Sequence, residues 1–153
     1  MYLSVHIWHK ICVFIVGMVA QSEQFEQVNV LASEANWAWP LAERNIFRPR
    51  GVSLLMAKNA DEFVNILRNQ RIHTAIIDMD SNTAGLAAIR VIRIEYPLLP
   101  FIALSSRTET DLLGKALQLN VFGVVDKPVD MEVLRELLNR LFLKKYQNDI
   151  FNR

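Results

Sequence analysis

The chain has one cysteine, Cys12, among 153 residues. That excludes an intrachain disulfide and any metal centre built on a cysteine cluster. The three histidines, His6, His9 and His73, show no metal-ligand motif. His6 and His9 could share a helix face, but a pair is too few ligands to hold a metal. An excess of charge of one sign is missing as well. Seventeen basic residues against 16 acidic ones leave a formal net charge of +1, so there is no electrostatic case for general nucleic-acid binding. There is no internal repeat, no low-complexity segment, and no Gly-rich phosphate loop or dinucleotide fingerprint after the first strand. The length suits one domain with a sizeable core and leaves no room within it for a second domain of ordinary size.

Long apolar runs are scarce. The longest, Ile11 to Ala20, follows Lys10 and ends in small residues, in the manner of a weak signal-peptide h-region. It is short for a bilayer span, which takes roughly 20 apolar residues. Extending it back to Tyr2 brings in His6, His9 and Lys10. Three readings stand side by side: a membrane or packing appendage, a secretion signal, or an upstream start with Met18 as the true first residue. Residues 1–26 are therefore set apart as an apolar extension, 27–147 as the domain and 148–153 as a tail. Membrane contact is expected only through the extension, and a cytoplasmic location otherwise.

What the chain does have is a regular alternation. Short apolar runs at Val28–Ala32, Val52–Met56, Thr74–Ile77, Pro100–Leu104 and Val121–Val125 alternate with segments of helical spacing. The first helix is expected over Trp37–Phe47, with Asn36 as cap and Pro40 in its first turn. Asn59 caps a second helix carrying Phe63, Ile66 and Leu67, and Gly85 opens a third with Leu86, Ile89 and Ile92. Thr108–Asp111 forms a near capping box for a fourth helix that ends at Asn120. Pro128 is expected to start the last helix, with Val133, Leu134, Leu137, Leu138 and Leu141 on one face. Such a pattern reads as a parallel sheet covered on both faces. Right-handed crossovers favour the flavodoxin-like, doubly wound strand order 2-1-3-4-5.

Ligand sites in these sheets lie outside the carboxyl ends of the strands. Asp78 and Ser105 each end an apolar run, and Val121–Val125 leads through Asp126 to Lys127 and Pro128. A carboxylate, a hydroxyl and an ammonium would then meet at one edge, a set suited to holding an anionic group such as a phosphoryl. As plain structural residues these would be a loop-capping acid, a strand-end serine and a surface lysine.

From about Val28 to Tyr146 the chain resembles the receiver domain of bacterial response regulators. The likeness is carried by Ala75-Ile76-Ile77-Asp78, by Gly85 to Arg93, by Leu104-Ser105-Ser106, and by Val124-Val125-Asp126-Lys127-Pro128. Each piece is weak alone, and their order and spacing together are specific. The resemblance implies that Asp78 is a nucleophile forming an acyl phosphate, that Lys127 pairs with it and then with a phosphoryl oxygen, and that Ser105 donates to another phosphoryl oxygen. It implies Mg²⁺, held by Asp78 and Glu34 with the Asp80 carbonyl and waters, the Asp80 side chain standing in for a missing acid. It implies a histidine kinase or phosphotransfer protein as donor and a downstream protein target, with a homodimer compatible. Signalling would follow a surface change around the fourth helix, fifth strand and fifth helix. Slow autodephosphorylation and labelling by small phosphodonors are expected, but no metabolic activity.

Three departures stand out. The family's acidic pair after the first strand is Ser33-Glu34 here. The loop between Asp78 and Gly85 is short and lacks the usual proline. Val124 stands where the family has an aromatic that swings inward. These motivate a second reading, a degenerate pseudo-receiver that binds a protein regardless of phosphorylation. A third is a small phosphatase of the haloacid-dehalogenase type, with Asp78 as nucleophile and Asp80 as acid. The chain has no cap domain for it, and the Gly85, Ser105 and Lys127-Pro128 context suits a receiver better.

Overall fold

The structure is a computed structural model that describes residues 27–33, 38–80, 82–106 and 121–152. Residues 1–26, Glu34, Asn36, Trp37, the Thr108–Asp111 box and Asn120 lie outside the described residues. The strands are β1 (Asn29–Ser33), β2 (Ser53–Ala57), β3 (Thr74–Asp78), β4 (Phe101–Ser105) and β5 (Gly123–Asp126). All pair in parallel in the order β2-β1-β3-β4-β5, as expected from the alternation of strands and helices. The described helices are α1 (Ala38–Ala42), α2 (Ala60–Asn69), α3 (Asn82–Glu95) and α4 (Met131–Tyr146), the last being the fifth helix of the sequence pattern.

Alternation along the strands builds two cores. Val30, Ala32, Ile76, Ile102 and Leu104 face one side, where Trp39 and Phe47 near α1 and Leu134 and Leu138 of α4 cover them. Leu31, Ala75, Ile77, Phe101 and Ala103 face the other, under Phe63 and Leu67 of α2 and Ile89 and Ile92 of α3. All five residues of β3 and all five of β4 are buried, as central strands covered on both faces must be.

Several boundaries differ from the sequence reading. The first helix does not run regularly to Phe47. It widens into a π turn over Glu43–Phe47 and tightens to a 3₁₀ turn over Arg48–Arg50. Pro49 has no N–H with which to continue the ladder, and Gly51 closes the turn at φ 68°. β2 starts at Ser53 because the Val52 N–H is spent on Phe47 O at 3.0 Å. α3 begins at Asn82, three residues before Gly85. The last helix begins at Met131, since Asp130 caps it by accepting from the Glu132 and Val133 N–H groups at 2.9 and 3.3 Å. Pro128 stands before it, after a cis Lys127–Pro128 bond. Val133 turns out of the core, and Phe142 takes a place in it. Asn59 does cap α2, accepting from Glu62 N at 2.8 Å. Gly123 has a packing role: a Cβ there would come within 2.8 Å of both Leu137 methyls.

The segment after α4 folds back. Phe151 is fully buried, edge-on to Phe47 and Phe142, and its carbonyl accepts from Arg135 Nη1 at 2.7 Å. Truncating a buried ring costs about 3–5 kcal/mol. Phe151→Ala is therefore expected to lower the urea unfolding free energy by that order.

At the opposite edge from the strand ends, His73 is buried and its carbonyl accepts the Tyr146 hydroxyl. Burial, helped by the Arg71 charge, pushes the imidazole below its ordinary value. Its Nδ1 accepts the Asn29 N–H at 3.1 Å, which needs an unprotonated nitrogen. The unfolded chain takes up a proton near pH ~6.5 that the folded chain refuses, so stability is full above that value and falls as pH drops below it. The urea midpoint is expected to fall between about pH 8 and about pH 5, and His73→Asn, which keeps an acceptor, to flatten that slope.

Candidate functional site

The carboxyl ends of β1, β3, β4 and β5 gather the site. Asp78 is the last residue of β3 and is registered against Leu104; Ser105, the last of β4, is registered against Asp126. Lys127 follows β5 directly, with its N–H on Ser105 O at 3.1 Å. Asp78 and Ser105 are buried polar residues at the carboxyl ends of two strands whose interiors are apolar.

Asp78 and Lys127 come together. Lys127 Nζ donates to Asp78 Oδ2 at 2.5 Å, and the same ammonium lies 3.2 Å from Asp80 Oδ2. Both ion pairs are largely shielded from water, which strengthens them relative to surface pairs. Burial works to lower the Lys127 pKa, but its bonds to Asp78 and Asp80 outweigh that and hold it above the ordinary lysine value. Burial likewise works to raise the Asp80 carboxyl, and the bonds from Ser106 and Lys127 hold it below the usual carboxylate range. The turn after β3 is fastened to the same groups. Asp80 N–H donates to Asp78 Oδ1 at 2.9 Å, and Ser106 N–H donates to Asp80 Oδ2 at 3.0 Å.

Of the residues singled out by sequence, Asp78, Asp80 and Lys127 thus form one bonded cluster. Ser105 ends the adjacent strand beside them, and Glu34 lies outside the described residues. Sequence reasoning missed two participants. Ser33, read only as a lost acid, accepts the Asp78 N–H on its hydroxyl at 2.7 Å. Ser106 contributes its backbone N–H. A serine at a strand end is the one signal for the first, and a backbone donor leaves none. Val124 is half-buried against the α2/α3 side of the sheet.

Among the described residues no three His, Cys, Asp or Glu side chains converge as a ready-made metal site. The donor set nonetheless suits a hard cation. Asp78 and Asp80 present carboxylates two residues apart, and Asp80 Oδ1 is buried with no hydrogen-bond partner among the described residues. A small dication that keeps several waters needs few protein ligands of this kind.

A parallel 2-1-3-4-5 sheet with acids and a lysine at its carboxyl edge defines a flavodoxin-like domain with its site at the strand ends. The response regulator receiver domain model matches residues 41–139, and the chain belongs to that family. It is 26% identical over 98 residues to an NtrX-like response regulator of Rickettsia bellii, covering 62% of this chain and 20% of that protein. The chain thus spans about a fifth of the length of that curated relative. Among solved structures, a response regulator receiver protein from Pseudomonas putida is 29% identical with a TM-score of 0.66, covering 74% of this chain and 97% of that one. The signal receiver domain of an HD domain-containing protein from Pseudomonas fluorescens Pf-5 shares the fold at TM-score 0.69 and 17% identity, covering 80% and 99%. Among the described residues no helix is long and apolar enough to cross a membrane.

The Ser33 hydroxyl accepts the hydrogen bond of the Asp78 amide. A largely buried donor left without its acceptor costs about 1–3 kcal/mol. Ser33→Ala is expected to lose that much in urea unfolding, more than an ordinary surface serine would.

Proposed function

We propose that this receiver domain takes a phosphoryl group on Asp78 from a histidine kinase or phosphotransfer protein and passes the signal to a downstream protein in the cytoplasm. The observation that carries the reading is the Lys127 ammonium held 2.5 Å from the Asp78 carboxylate at the carboxyl edge of the sheet. An anionic nucleophile needs a fixed cation beside it if a negatively charged phosphoryl group is to approach. In the transfer, an Asp78 carboxylate oxygen bonds to phosphorus while the phosphorus–nitrogen bond of a phosphohistidine breaks, and the nitrogen keeps the electron pair. Lys127 then serves the new phosphoryl oxygens as a compact point charge. Ser105 ends the neighbouring strand as a hydroxyl donor for one of them. Because that bond exists only with the phosphoryl group, it draws the segment after β4 inward and converts a local charge into a surface change.

Receiver domains generally bind Mg²⁺ at an acidic site. Here Asp78 and Asp80, with Glu34 as a further oxygen, would hold it, and the ion would neutralise charge on the phosphoryl oxygens. The unit that acts is residues 27–147, with the neighbouring 1–26 extension outside the chemistry. Hydrolysis of the acyl phosphate is slow and returns the domain to its starting state; no metabolic substrate is turned over.

Intact mass after incubation with acetyl phosphate and Mg²⁺ tests this. Wild type is expected to gain one phosphoryl group, and Asp78→Asn or omission of the metal to prevent the gain. No adduct on wild type, under conditions that label another receiver, would overturn the reading in favour of a phosphorylation-independent binding module.

A further inference from the structure

The donors that a phosphoryl group on Asp78 would use are partly occupied. Two of the groups at this edge that can bind an anion are the Lys127 ammonium and the Ser106 N–H. Both reach the same atom, Asp80 Oδ2, at 3.2 and 3.0 Å. The Asp80 backbone is pinned in turn by its own N–H on Asp78 Oδ1 at 2.9 Å. The Asp80 carboxylate therefore crosses from the turn after β3 to the start of the segment after β4 and lies against the ammonium that Asp78 also uses. Its other oxygen, Oδ1, is buried and has no hydrogen-bond partner among the described residues. A carboxylate held in that way leaves one oxygen poorly served, a cost that its two charged or polar donors offset.

We infer that Asp80 is an internal anion seated on the donors of the phosphoryl site, so that a phosphoryl group arriving at Asp78 has to displace it. The inference rests on the reading of Asp78 as the phosphoacceptor for its consequence, but not for the occupancy itself. Two carboxylates share one lysine in the cluster, which leaves it net negative towards an incoming anion. Displacement releases the Ser106 N–H and the Lys127 ammonium from Asp80 together, so Asp80 sets both how readily the site accepts an anion and how firmly it keeps one. Asp80 is a positioning and competing residue, not the nucleophile. Its chemistry is that of a tethered carboxylate competing with a tetrahedral oxyanion for the same N–H and N⁺–H groups.

Inorganic phosphate is the probe for the occupancy. It is titrated into ¹⁵N-labelled protein in EDTA at constant ionic strength, following the Ser106 amide, for wild type, Asp80→Asn and Asp80→Ala. The uncharged amide of Asp80→Asn preserves the size of the side chain and serves if the alanine variant folds poorly. Removing one like charge at contact distance is worth on the order of tenfold in affinity. Phosphate is therefore expected to bind both variants about that much more tightly than wild type, with the Ser106 amide shifting. Labelling by acetyl phosphate with Mg²⁺ is followed on wild type in parallel, because Asp80 also belongs to the proposed Mg²⁺ set and its variants lose that ligand. Unchanged phosphate affinity, or a Ser106 amide that does not respond, overturns the inference. Tighter phosphate binding by the variants with no labelling of wild type sustains the internal anion and removes the phosphoacceptor reading instead.

Discussion

The structure depends on one ammonium placed among carboxylates where water is largely excluded. Lys127 lies against Asp78 and Asp80 at the same time, and without it two acids would stand side by side at the tip of a fully buried strand. Desolvating like charges is costly. The sheet topology is what makes the arrangement affordable in space: β3 and β5 flank β4, so residues 49 positions apart end within one hydrogen bond of each other. The strand order matters here more than any local motif. A meander of the same strands would have sent Ser105, at the end of β4, to the opposite edge from Asp78 and Lys127.

Ser33 shows how a departure from a family pattern can be absorbed. The last position of β1, where the receiver pattern has an acid, carries a hydroxyl, and that hydroxyl fastens the peptide of Asp78. One negative charge is thereby removed from a cluster in which Asp80 adds one. The charge at the edge is relocated from β1 to the turn after β3, and with it the bonding moves towards β4 through Ser106. This gives the site a different internal wiring on an unchanged scaffold, in keeping with function residing in sites placed on folds.

The scaffold was largely legible because its signals are local. Thr74–Ile77 leads into an acid and Asn59 precedes a helical stripe; each of these was placed by chemistry within a few residues. The misplaced boundaries share a cause. Val52 looks like strand, but its N–H is claimed by Phe47 O. Pro128 looks like a helix start, but the oxygen that caps the helix belongs to Asp130. In both, a hydrogen bond decided the matter where apolar pattern could not. In the site, Asp78 and Lys127 were visible as strand-end residues. The bonds of Ser33 and Ser106 were not, since their partners lie 45 and 26 residues away and both donors are backbone N–H groups.

The fastening of β3 has a mechanical side. The strand is paired on both flanks. Just before it, the His73 carbonyl takes the Tyr146 hydroxyl; at its other end the Asp78 amide is held by Ser33. It is thus tied at both ends as well as along its length. A load applied at its tip is not dissipated by sliding in the sheet. The bonded routes out of the tip lead through Asp80 to the peptide of Ser106 and through the Asp78 carboxylate to the ammonium of Lys127. Stiffness in the centre thus determines the direction in which the domain can yield.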